Sequence, residues 1–132
     1  ESRTGRKAYY DGGAFAFALD KVRKNGGVME HPAYSHAFRM HGLYEPHLDN
    51  GWVGAGDGMG YVCCVHQSNY GHKAQKPTWL YACKVELPSL NFNRGPIGIA
   101  VEKLCSKDRS STPEQFRDVL LNMARTVGKD NA

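Results

Sequence analysis

Residues 67 to 81, Gln-Ser-Asn-Tyr-Gly-His-Lys-Ala-Gln-Lys-Pro-Thr-Trp-Leu-Tyr, hold the densest grouping of chemistry-bearing side chains in the chain. Tyr70 and His72 are types that stack on or orient a planar ligand, and Lys73 and Lys76 suit phosphate contact. A second candidate pair follows a short apolar run: in Val28-Met29-Glu30-His31-Pro32, the carboxylate and imidazole stand where a strand would end. In open α/β sheets that carboxyl edge is where ligands bind. Glu30 is the type of group that accepts a hydrogen bond from an exocyclic amine, and His31 is a second polar candidate beside it. Each has a plainer reading: a strand-end carboxylate, a backbone-bonded histidine, a tyrosine covering strand ends, solvated lysines.

The cysteines and the other histidines carry less. Cys63 and Cys64 lie inside an apolar run, whereas a reactive thiolate needs an exposed, electropositive setting, so they read as buried and structural. As neighbours in a strand they point to opposite faces and do not pair with each other. His36 and His41 are five apart on one short helical stretch, a spacing that does not put both on one metal-binding face, and no cysteine/histidine cluster suits zinc. We therefore expect no metal site.

These residues need elements to hold them. Tyr61 to Val65 and Thr78 to Ala82 are rich in valine, cysteine and aromatics and read as buried strands. Their connection is too short for a crossover helix, so the two are expected to be antiparallel neighbours. Phe15, Ala18, Leu19 and Val22 recur at helical spacing, with Asp11 as candidate cap and Gly26-Gly27 as the stop. A second short helix is expected over Ser35 to His41, and the glycine-rich stretch 44–60 reads as irregular. The spacing predicts a closing helix in which Thr112, Pro113 and Gln115 form its start and Phe116, Val119, Leu120, Met123, Ala124 and Val127 its apolar stripe. Residues 87 to 111 carry turn chemistry and little period.

The chain has 132 residues, 41% of them hydrophobic, which suits a single domain over residues 12–132 after a flexible lead-in at 1–11. Seventeen Lys and Arg against 13 Asp and Glu give a net charge of +4, a mild bias compatible with phosphate contact. No stretch approaches the roughly 20 apolar residues of a membrane span. With no signal peptide and no disulfide pattern, a cytoplasmic location is expected. The first residue is glutamate rather than methionine, which leads us to expect processing or further residues upstream.

Two segments carry a family resemblance. Gly26-Gly27-Val28-Met29-Glu30-His31-Pro32 and Gln67-Ser68-Asn69-Tyr70-Gly71-His72, followed by Lys76-Pro77-Thr78-Trp79-Leu80, resemble the catalytic half of cytosine-5 DNA methyltransferases, above all small phage-encoded relatives. The resemblance spans about residues 12 to 127. It implies a small α/β, Rossmann-like layered domain with few strands, in which Glu30 grips the edge of a flipped cytosine. It also implies that Gln67, Tyr70, Lys73 and Lys76 belong to a region contacting nucleic acid, and that 112–125 packs back on the sheet.

The departures matter as much. The enzymes need a Pro-Cys nucleophile ahead of the glutamate motif and a glycine-rich turn for S-adenosylmethionine, and neither stands before Glu30. His31 replaces an asparagine, and Lys73 and Lys76 stand where arginines are favoured. As written, the chain is not expected to methylate cytosine alone, and S-adenosylmethionine would require a motif outside it. Three classes follow: a nucleic-acid-modifying protein whose nucleophile lies upstream, a noncatalytic binder of DNA or nucleotide, and a nucleotide enzyme of glycosyl-cleaving or deoxyribosyl-transferring type using Glu30. The partner in each is DNA or a nucleotide, with no membrane; a homo-oligomer stays open.

Overall fold

A computed structural model describes residues 13–129. The lead-in expected at 1–11 and the candidate cap Asp11 lie outside the described residues. Helix α1 spans Ala14–Asn25, β1 Gly27–Pro32, α2 Ala37–Met40, β2 Val53–Gly54, β3 Tyr61–His66, β4 Pro77–Cys83, α3 Ser106–Ser110 and α4 Glu114–Ala124, with 3-10 turns at Leu48–Asn50, Gln67–Tyr70 and Val101–Lys103. The four strands form one sheet in the order β1-β4-β3-β2.

Alternation decides how the layers assemble. Along β3, Val62 and Cys64 face one side while Cys63 and Val65 face the other; along β4, Trp79, Tyr81 and Cys83 oppose Leu80 and Ala82. The first side is covered by Phe15, Leu19 and Val22 of α1, with Phe38 of α2 and Leu43. The second is covered by Phe116 and Met123 of α4, with Val119, Leu120 and the 87–92 stretch. Helices thus lie on both faces, and the central strands have no solvent side, which is why β3 and β4 read as near-continuous apolar runs.

β3 pairs antiparallel with β4 as expected. β1 also pairs antiparallel with β4, and β2 with β3. The fold is therefore mixed α/β, but its sheet differs from the parallel sheet of a Rossmann-like arrangement. The physical reason is in the connections. The 67–76 loop closes as a hairpin, with Gln67 N–H donating to the Lys76 carbonyl and Ser68 N–H to that of Gln75, both at 3.2 Å. No helix is interposed there to carry the chain back parallel.

Helix ends show smaller differences. α1 stops at Gly26, whose φ of 84° is open to glycine and whose N–H donates to the Val22 carbonyl at 2.8 Å. A Cβ there would stand 3.0 Å from Val127 and 3.1 Å from Lys84, so the position also serves close packing of β4 and the chain after α4. α4 begins after Pro113 with no side-chain cap, so Thr112 does not form the expected capping box. The irregular 44–60 stretch is pinned by Asp57, which accepts from the N–H groups of Met59 and Gly60, from the Tyr81 hydroxyl at 2.8 Å and from Arg23 at 2.9 Å. Burial pushes the Asp57 carboxyl up, but these four donors outweigh it and hold it at about 2. No helix among the described residues is long and apolar enough to cross a membrane.

Candidate functional site

The β1–β4 register settles which candidates share a surface. Glu30 stands opposite Leu80 and Pro32 opposite Thr78, all on the α4 side; His31 stands opposite Trp79 on the α1 side. Glu30 and His31 therefore project from opposite faces of the sheet. The His31 ring lies 4.9 Å from that of Phe15, and its Nε2 is 2.9 Å from Ser35 Oγ. Period-two alternation within β1 is the signal that separates this pair.

Gln67, the first residue after β3, is fully buried beside Glu30. Its Nε2 donates to Glu30 Oε2 at 3.3 Å and to Thr78 Oγ1 at 2.9 Å. The Thr78 hydroxyl donates onward to the Lys76 carbonyl at 2.9 Å, so it must accept from Gln67, and this fixes the amide orientation. One carboxylate oxygen is thus held from behind by a buried amide, while the group keeps acceptor capacity for a ligand. Gln67 Oε1 is buried without a hydrogen-bond partner, an arrangement that costs about 1–3 kcal/mol.

In front of Glu30 opens a cavity of about 490 Å³, lined by Glu30, Pro32, Lys76, Thr78, Arg109 and Ser110 among others, within the usual range for small-molecule sites. Lys76 is half-buried, and its Nζ donates to the Ser111 carbonyl at 3.3 Å. Burial lowers its ammonium pKa, and the Glu30 carboxylate acts against that shift. The backbone at Lys76 has a φ of 46°, left-handed and uncommon for a residue with a side chain. Arg109 reaches the cavity from α3. Its contribution is absent from the sequence reading, because no local period marks residues 87–111 and the cavity brings Arg109 together with β1 residues more than 70 positions away.

The other candidate residues of the loop do not line this cavity. The Tyr70 ring packs 5.3 Å from that of Phe116, in the layer under α4, and its hydroxyl accepts from Asn91 N–H. His72 is buried; Nδ1 accepts from Ala74 N–H at 2.9 Å, which places the proton of the neutral ring on Nε2. Nε2 is buried without a hydrogen-bond partner, and the backbone of Asp108 and Arg109 acts on the ring, so the ring lies against the segment that carries Arg109. Burial and then Lys76 lower its pKa. Lys73 is exposed and ion-paired with Asp108 at 2.9 Å. The Ile99 N–H donates to the Lys73 carbonyl at 3.0 Å, which ties the following segment to the loop. Of the expected site residues, Glu30, Gln67 and Lys76 come together; His31, Tyr70, His72 and Lys73 stand apart from that cavity.

Cys63, Cys64 and Cys83 are buried free thiols and Cys105 is exposed. Burial pushes Cys64 up to about 11, and Cys63 still higher, which removes both as nucleophiles at neutral pH. Among the described residues no group of three or more His, Cys, Asp or Glu side chains is placed to hold a metal ion. No known protein family, curated protein or solved structure matches the chain.

Proposed function

We propose that this chain recognises a nucleobase through Glu30 and the attached phosphate through Lys76 and Arg109, as a nucleotide- or nucleic-acid-binding protein without a complete methyltransferase centre of its own. The observation that carries the reading is the Glu30–Gln67–Thr78 chain of hydrogen bonds at the wall of a cavity that also holds two cations. A carboxylate held from behind accepts from an exocyclic amine, which cytosine and adenine offer and uracil and thymine lack. The cations supply the complementary contact to an anion on the same ligand. A ligand carrying both a donor edge and a phosphate fits this division of charge.

Descent from Rossmann-like methyltransferases is part of the proposal on the strength of the segments 26–32 and 67–80; the antiparallel sheet does not by itself carry it. Titration with cytidine and uridine monophosphates tests the reading. Preference for the amine-bearing base supports it, and equal affinity for both sinks the role given to Glu30.

A further inference from the structure

A second cavity, of about 530 Å³, opens on the other face of the same sheet end, walled by Tyr34, Arg39, Tyr44, His47 and Trp79 among others. The turn after β1 contributes to both cavities: Pro32 and Ala33 line the first and Tyr34 the second. On β4, the adjacent residues Thr78 and Trp79 divide in the same way. Tyr34 sits on this ridge with a φ of 68°, one of three non-glycine residues with positive φ among those described; Lys76, in the first cavity, is another. Such backbone is costly for a tyrosine, and the cost is not recovered by burial, since Tyr34 is 71% exposed. In this conformation the phenol ring stands in a T-shaped contact with the Trp79 indole, centroids 5.6 Å apart and planes at 66°, while most of the residue stays open to solvent.

Resting on the base-pocket reading above, we propose that the ligand is a single-stranded polynucleotide that crosses this ridge, with one base in the Glu30 cavity and the neighbouring base stacked on Tyr34. An open aromatic supported by a second ring, one turn away from a base-edge acceptor, is an arrangement by which single strands are held. A duplex cannot satisfy it, because pairing engages the base edge that Glu30 would read. Stacking rather than charge carries this second contact: Arg39 is shared between His36 Nδ1 at 3.1 Å and Glu45 at 4.0 Å.

The test compares cytidine monophosphate with cytosine-containing single-stranded tetranucleotides, deoxy and ribo, and with the corresponding deoxy duplex, on the parent, Tyr34→Ala and Tyr34→Phe. The expected result is a gain of about tenfold or more for a tetranucleotide over the mononucleotide, lost in Tyr34→Ala, kept in Tyr34→Phe, with mononucleotide affinity the same in all three proteins. Mononucleotide binding with no gain for either tetranucleotide, a gain that survives Tyr34→Ala, or tighter binding of the duplex overturns the single-strand proposal and leaves the Glu30 cavity standing. No binding of any of these ligands overturns the cavity reading, and this proposal with it.

Discussion

Gln67 decides how Glu30 is presented, and it does so from a fully buried position with both amide hydrogens committed. Replacing Gln67 by leucine removes a donor from Thr78 and Glu30 while keeping volume. We expect a weakened base preference in nucleotide titration with little net change in chemical denaturation, because loss of the two donated hydrogen bonds is offset by removal of the unpartnered Oε1. Lys76 and Lys73 make a sharper contrast. Lys76→Asn, which tolerates the left-handed backbone, should weaken nucleotide binding and its salt dependence, whereas Lys73→Ala, outside the cavity and paired with Asp108, should leave affinity unchanged by titration. His66 and His72 are both held below their ordinary value of 6.5, by burial first and then by Arg94 and Lys76 respectively. The unfolded chain therefore takes up protons before the folded one as pH falls, so this part of the stability is complete above about pH 6.5 and is lost below it. Melting curves between about pH 8 and 5 should show Tm falling through that window, and His72→Gln should flatten the fall. Of the four thiols, only Cys105 is exposed, so one equivalent should react rapidly with a thiol reagent in the native state.

At the scale of elements, strands β3 and β4 and part of the apolar stripe of α4 were legible, because a run such as Val62-Cys63-Cys64-Val65 leaves no polar face and Phe116 and Met123 keep helical spacing, whereas Ala124 is exposed and Val127 lies beyond the helix end. The opposed directions of Cys63 and Cys64 follow from the same period and hold in the sheet. Applied to β1, that period separates Glu30 from His31; grouping them as strand-end neighbours overlooked it. The glycine-rich stretch before β3 has an organising group that composition hides. Asp57 gathers Met59, Gly60, Tyr81 and Arg23, and a Cβ on Gly60 would run into the Tyr81 phenol. Gly60→Ala should therefore cost about 1–3 kcal/mol, read as a lowered Tm, although the residue touches neither cavity. Arg109 belongs to an element, α3, whose position is set by long-range ties such as the Ile99 N–H to the Lys73 backbone carbonyl and Lys76 to the Ser111 carbonyl. No local pattern encodes such ties, which is why half of the cationic wall was invisible in the sequence.

Across the whole molecule, the sheet end formed by β1 and β4 concentrates the unusual features: two left-handed side-chain-bearing residues, a carboxylate tied to a buried amide, and a cavity on each face. The opposite faces are conventional layers of helix on sheet. A net charge of +4 is modest, so under the proposed function specificity rests on Glu30 and not on bulk electrostatics. The most direct test is isothermal titration of the parent and of Glu30→Ala with cytidine and uridine monophosphates, at one fixed moderate salt concentration. Gln67 keeps Thr78 as a partner in the variant, so the fold should persist, and a matching circular dichroism melt checks that it does. The parent should prefer the cytidine nucleotide by about tenfold, and Glu30→Ala should bind both nucleotides alike. A folded variant that keeps the parent's preference, or a parent that shows none, would contradict the proposed function.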